Sequence, residues 1–254
     1  MRPRSRQVWA LKLDRLMRLP WLANTAPFPT PSSALRSPNG LLCAGADLSV
    51  GRLNSAYAQG IFPWFNDGEP ILWWSPDPRC VLVPAELALS KRDWRALRAS
   101  GWEVRSDTQF AQVLKHCAAP RANYFGAGTW LSTEMQSAYC ALHMAGVAHS
   151  VEVFDGQELI GGIYGVAVGG VFCGESMFGA RSNASKAALV ALVLGLERMG
   201  LGVLDCQVRS PHLETRGAKD IPRTKFQELL VEFKLEKSWH SGVWTEPWNR
   251  FGVR

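Results

Sequence analysis

Residues 148–209 constrain the fold more than any other part of this chain. Three strand-like stretches, at about 148–154, 158–168 and 170–176, follow one another, and Asp155-Gly156 joins the first two. Asp-Gly between apolar runs marks a tight hairpin, because both central positions take positive φ. The apolar stretch after them predicts a buried helix over 184–199, stopped by Gly200, and a further strand over 203–209. A last helix is expected over about 223–236. Strand, strand, strand, helix, strand, helix is the order of a mixed sheet with helices packed on it. That is a layer structure of the α/β or α+β kind, taken here as α+β. Two separate subdomains after residue 80 are the alternative.

Upstream, residues 20–46 carry many Pro, Ser, Gly and Asn residues and read as turn-rich chain. Asp47 or Ser49 caps a helix over about 50–59. Three prolines forbid a long helix through Pro70–Pro78, and the aromatics of 60–79 imply short extended pieces. A boundary follows, with a small domain over 1–78 and a larger one over 79–254. Ser90 with Asp93 starts a helix to about Ser100, a second fits 107–118, residues 119–129 form a loop, and Ser132 caps a helix through Ala145.

At 254 residues the chain is long enough to bury a sizeable core. No stretch approaches the roughly 18 uncharged apolar residues of a membrane span, so no membrane is expected. The six cysteines are scattered, with no C-x-x-C pair and no zinc-like cluster, and read as reduced thiols of a cytoplasmic protein. Of the net charge of +6, residues 1–16 supply +4, from Arg2, Arg4, Arg6, Lys12 and Arg15 against Asp14. This segment fits a nucleic-acid arm, an organelle address, or a non-native or disordered extension ahead of Met17; the last is preferred.

Several residues could carry chemistry. Asp205 and Gln207 lie two apart on a strand, which sends both to one face and Cys206 to the other. A carboxylate beside an amide can fix that amide, although the same spacing fits a pair closing a turn. Glu175 sits between Cys173 and Met177, where a carboxylate must be paired or have its pKa raised; it suits a ligand or a structural ion pair equally. Trp64, Trp73, Trp74 and Trp130 could stack on bases, at about 1–3 kcal/mol each, but Trp73 and Trp74 read better as packing. Lys91, Arg92, Arg95 and Arg98 share one helix, either a solvated face or a phosphate contact. The glycines of 161–174 lie inside strands and form no phosphate loop. No histidine belongs to a defensible triad.

Read in order, P-N-G-L-L (38–42), D-L-S (47–49), A-Y-A-Q-G-I-F-P-W-F (56–65), W-W-S-P-D-P-R (73–79), G-T-W (128–130), A-H-S-V-E (148–152), G-G-I-Y-G-V (161–166), G-E-S-M-F (174–178), N-A-S-K (183–186), D-C-Q (205–207) and G-A-K-D-I-P-R (217–223) resemble the leucyl/phenylalanyl-tRNA–protein transferases. The resemblance implies a small N-terminal domain joined to a larger N-acetyltransferase-like one. It implies transfer of Leu or Phe, sometimes Met, from aminoacyl-tRNA to proteins with N-terminal Arg or Lys, creating an N-end degradation signal. No metal, nucleotide or coenzyme is implied. The partners are then the 3′ acceptor end of the tRNA and the acceptor protein, met by a monomer in the cytoplasm.

On the same resemblance, Asp205, Gln207 and Glu175 are catalytic. Ile163, Phe172, Met177 and Leu204 line the Leu/Phe pocket, Tyr57, Trp64, Trp130 and Tyr139 flank the terminal adenosine and aminoacyl group, and Phe62 is a further substrate-binding residue. Lys91, Arg92 and Arg95 meet acceptor-stem phosphates. In the chemistry expected, the Gln207 amide oxygen accepts a hydrogen from the incoming amine while Asp205 polarises that amide. The chain departs from the family pattern at Ala46, where a glycine is usual, and at Gly179, where a serine is usual and the pocket edge is expected to change. Asn123–Ala127 read as an insertion that could move the Trp130 loop. The rivals are a coenzyme A-dependent N-acyltransferase and a non-catalytic RNA- or peptide-binding module. For the first, Arg181–Lys186 (RSNASK) puts Ala184 and Lys186 at the two small-residue positions of the glycine-bearing turn that cradles a pyrophosphate, so the cradle reads as absent.

Overall fold

A computed structural model describes residues 19–119 and 130–233. The N-terminal extension, the loop carrying Asn123–Ala127 and Gly128, and the expected end of the last helix lie outside those residues.

A small four-stranded sheet comes first. It is built from β1 (Trp21–Leu22), β2 (Leu41–Gly45), β3 (Phe62–Pro63) and β4 (Leu72–Trp74), in the order β1-β2-β4-β3. β3 and β4 are the short extended pieces expected of 60–79, whereas β1 and β2 arise within the stretch read as turn-rich chain, β2 as a fully buried strand. Helix α1 (Val50–Tyr57) lies between β2 and β3, and Ser49 caps it by accepting from the Arg52 N–H. Ala46, at the position where the sequence departs from glycine, has φ 60, a conformation that favours glycine.

The large sheet has seven strands in the order β11-β5-β10-β9-β8-β7-β6. Its members are β5 (Arg79–Leu82), β6 (Glu103–Ser106), β7 (Ala148–Asp155), β8 (Glu158–Val168), β9 (Val171–Gly179), β10 (Val203–Gln207) and β11 (Lys219–Ile221). The β7–β8 hairpin forms where expected, but Asp155 pairs with Glu158, so the two-residue turn is Gly156-Gln157, one position later than the dipeptide implies, with Gly156 at φ 60. Strands β9 and β10 run parallel and every other pairing is antiparallel, so the sheet is mixed and the α+β reading holds.

The crossover between β9 and β10 is helix α5 (Ala184–Arg198). Ten of its 15 residues are buried, which is why its sequence is apolar on every side. Each of its buried Leu and Val side chains contributes about 1.5–3 kcal/mol. Together with Leu97 of α2 (Lys91–Ala99) it covers one face of the sheet. Helix α2 opens with the expected capping box, Ser90 and Asp93 bonding reciprocally. The other face packs on α3 (Phe110–Ala118), α4 (Thr133–Met144) and α7 (Arg223–Glu232), in a core continuous with the small sheet. A short α6 (Pro211–Glu214) follows β10.

Glycine is required where β8 slips against β9. A Cβ on Gly165 would lie 2.1 Å from the Cys173 carbonyl oxygen and 2.5 Å from the Phe172 ring. Gly165→Ala is therefore expected to cost about 1–3 kcal/mol of stability, read as a lower urea midpoint at unchanged slope; an unchanged midpoint would mean that the strands move apart freely.

Candidate active site

The site arises where the two parallel strands part. β9 and β10 pair over three positions only, ending at Asp205 opposite Cys173. Beyond that point each strand pairs with its other neighbour, and each carries a bulge. On β9 the register slips between Tyr164–Ser176 and Gly165–Gly174, so Glu175 is the extra residue. On β10 it slips between Asp205–Val81 and Gln207–Cys80, leaving Cys206 extra. Bulges re-aim side chains, and these two turn Glu175 and Gln207 towards each other in the gap. A cleft of about 680 Å³ opens there.

The backbone at Gln207 is unusual. Its φ is 61, and the Val208 N–H donates to the Cys206 carbonyl at 2.7 Å. A three-residue turn with positive φ at its centre is rare and strained, and such strain persists only where the surroundings enforce it. Two groups do so here. The Gln207 N–H donates to Asp205 Oδ1 at 2.9 Å, and Gln207 Nε2 donates to Glu175 Oε1 at 2.7 Å. With its nitrogen committed, Gln207 offers its amide oxygen to whatever enters the cleft.

This geometry corrects two expectations. Plain alternation along β10 fails at the bulge, and Cys206 borders the cleft together with Asp205 and Gln207. Nor does Asp205 polarise the Gln207 amide: its oxygens accept from Arg79 Nε at 2.8 Å, from Arg79 Nη2 at 2.7 Å, and from the Gln207 backbone. The carboxylate on the amide is Glu175.

Glu175 has a second tie. Its Oε2 accepts from the Tyr139 hydroxyl at 2.7 Å, and that hydroxyl lies 2.7 Å from the Tyr57 hydroxyl. Glu175 keeps a partly exposed edge, yet its carboxyl is enclosed by protein. Burial raises its pKa to about 7; the Asp205 charge adds to this, and bonds from Tyr139, Tyr57 and Gln207 oppose it. Burial likewise pushes the phenols of Tyr57 and Tyr139 well above the usual range, so both remain neutral donors.

The other expected residues fall into groups. Phe62, Trp64, Trp130, Ile163, Met177 and Leu204 line the cleft, where Leu189 of α5 and Leu213 of α6 join them. Trp64 is half exposed, and its carbonyl accepts from the indole of Trp74 at 2.7 Å. Trp73 is buried, its indole bonded to the Gly45 carbonyl. Tyr57 and Tyr139 stand behind Glu175, not on the cleft wall. Phe172 lies in the core shared with α5, opposite the cleft residue Leu204 in the β9–β10 pairing. Lys91, Arg92 and Arg95 are exposed on α2, outside the cleft lining. Gly179 abuts the start of α5, where a Cβ would meet the Ser185 N at 2.9 Å; it is not part of the cleft edge.

Sequence reasoning passed over Arg79. An arginine opening the otherwise apolar strand RCVL was the available signal, since a buried cation requires a partner. Among the described residues, no group of three or more His, Cys, Asp or Glu is arranged to hold a metal, and no helix is long and apolar enough to cross a membrane.

Comparison with known proteins bears on the family. A sequence model described as leucyl/phenylalanyl-tRNA protein transferase matches residues 81–231, and one for the N-terminal domain of the same proteins matches residues 46–77. A leucyl/phenylalanyl-tRNA–protein transferase of Nitrosospira multiformis is 54% identical over 214 residues, 84% of this chain and 91% of its own length. That of Xanthomonas axonopodis pv. citri is 51% identical over 240 residues, covering 93% and 94%. That of Xanthomonas oryzae pv. oryzae is 56% identical over 223 residues, covering 87% and 88%. Among solved structures, a GCN5-related N-acetyltransferase from Kribbella flavida aligns at TM-score 0.32 and 10% identity, over 65% of this chain and 58% of its own, a likeness that carries no functional weight. On matches that span most of its length, the chain belongs to the leucyl/phenylalanyl-tRNA–protein transferase family.

Proposed function

We propose that this protein moves leucine or phenylalanine from aminoacyl-tRNA to the α-amine of proteins that begin with Arg or Lys, creating an N-end degradation signal. One observation carries the reading: Gln207, its amide fixed by Glu175 and its backbone by Asp205, sits on the cleft beside the apolar Ile163, Met177 and Leu204. The apolar walls suit a Leu or Phe side chain, and the thioether of Met177 adapts to either. Trp64 and Trp130 flank the terminal adenosine.

An aminoacyl ester is already activated, so no ATP is consumed. The amine lone pair attacks the ester carbonyl, the C–N bond forms, the C–O bond to the ribose breaks, and one proton passes from nitrogen to the departing ribose oxygen. An α-amine with a pKa of about 7.7–8.0 is partly neutral at cellular pH, so the protein's task is mainly placement. The Gln207 amide oxygen accepts an amine hydrogen and aims the lone pair. The negative charge on Glu175, one hydrogen bond away, favours the cation that develops on that nitrogen. Asp205 holds the turn and touches no substrate atom. The six free thiols suit a reducing cytoplasm, and the protein acts as a monomer.

A coenzyme A-dependent reaction is disfavoured by the start of α5. Arg181 there is bonded to Asp155 and Glu158, and Lys186 to Asp93, while Gly161 and Gly179 press against the helix N-terminus.

The test is transfer of labelled leucine from leucyl-tRNA to a peptide beginning with Arg, against the same peptide beginning with Ala, with neither ATP nor coenzyme A. Label on the Arg peptide alone supports the reading, and label on neither sinks it. In the same reading Lys91, Arg92 and Arg95 meet tRNA phosphates. Replacing all three by Gln should flatten the dependence of log Kd on log salt by about 2 units, at roughly 0.7–0.9 per lost contact. An unchanged slope would take α2 off the RNA.

A further inference from the structure

We propose that Arg79 is the positioning residue that sets the geometry of Gln207, acting through Asp205. The inference rests on the transfer reading and adds a residue to it. Arg79 and Asp205 are wholly enclosed, with side-chain exposures of 1% and 0%, and the guanidinium grips both carboxylate oxygens. Asp205 Oδ1 also accepts the Gln207 N–H, so the carboxylate can hold the strained turn only while its own orientation is fixed. Arg79 fixes it.

The same guanidinium reaches beyond Asp205. Its Nη1 donates to the Gly60 carbonyl at 3.1 Å, and its centre lies 4.9 Å from the Phe62 ring and 4.6 Å from the Phe226 ring. Phe62 lines the cleft. One side chain thus couples the wall supplied by the small sheet, the last helix and the turn that presents Gln207. A lysine cannot reproduce this. Its ammonium is a point charge, without the planar fork that fills two carboxylate oxygens and a carbonyl while stacking between rings.

The experiment is a double-mutant cycle on transfer from leucyl-tRNA to the Arg peptide, with wild type, Arg79→Lys, Asp205→Asn and the double variant, each checked for folding by thermal melting. Arg79→Lys is expected to lower kcat about 100-fold, as displacement of a positioned group by roughly 1 Å does. The KM values for tRNA and peptide should stay within about threefold, because no substrate contact is lost. The double variant should be no slower than the slower single variant, because both substitutions release the same turn. A folded Arg79→Lys within twofold of wild-type kcat, or losses that multiply in the double variant, would overturn the proposal while leaving the transfer reading intact. A wild type that transfers nothing overturns both. If Arg79→Lys fails to fold, Phe226→Leu gives the same readout: it removes one ring from the guanidinium and keeps every charge. A drop in kcat with KM preserved is expected there, and wild-type kcat would overturn the proposal.

Discussion

Replacing Gln207 with methionine lowers kcat for transfer by about 100-fold or more, while the affinity for aminoacyl-tRNA stays within about threefold. Methionine matches glutamine in length and fills the same space, so packing at the cleft is kept. What it lacks is the amide oxygen that aims the amine. General-base and hydrogen-bond contributions at reacting centres are typically worth 10²–10⁴ in rate. The bond from Nε2 to Glu175 is lost as well, while the Tyr139 hydroxyl still donates to that carboxylate. Single-turnover transfer with prebound leucyl-tRNA separates the chemical step from binding. A loss confined to tRNA affinity would show that Gln207 merely lines the pocket.

The second large effect belongs to Glu175, whose carboxyl titrates at about 7 against an ordinary 4.5 because burial penalises its charge. An acid whose pKa rises on folding binds its proton more tightly in the folded state. Its contribution to stability is complete below the ordinary value and disappears as pH rises through the folded value. Wild-type stability should therefore carry a decline between about 4.5 and about 7 that comes from this group. Glu175→Gln cannot ionise; it should flatten that decline and unfold at a higher urea midpoint than wild type at pH 8. The same variant should transfer at least about 30-fold more slowly, because a charge-assisted bond to the Gln207 amide becomes a neutral one. More stable and less active is the pattern of a group retained for chemistry. A variant less stable than wild type at pH 8 would mean that the Glu175 charge is structural.

The sequence made the regular parts legible for local reasons. Gly156 marked a hairpin to within one position of its turn, Ser90 and Asp93 made a capping box within four residues, and the all-round apolarity of Ala184–Arg198 marked its burial. The short strands were harder. β6 (Glu103–Ser106) and β5 (Arg79–Leu82) have four residues each, too few for a period-2 signal, and β3 has two. At the site, residue types were visible and partners were not. Strict alternation assigned Asp205 and Gln207 to one face, but a bulge is a property of the pairing between strands and leaves no mark in one strand's own pattern. Arg79 and Asp205 are 126 positions apart, and Tyr139 lies 82 residues from Tyr57 and 36 from Glu175. Only the folded sheet and the helices packed on it bring these groups together.

The Glu175–Gln207 pair is the centre of this account, and the pH dependence of kcat/KM tests it most directly. The attacking amine must lose one proton and Glu175 another. Below pH 7 the wild-type profile should fall with a limiting slope of two in log rate against pH, whereas Glu175→Gln, with only the amine left to titrate, should fall with a slope of one. The same slope in both proteins would contradict the claim that an ionised Glu175 orients Gln207 for transfer.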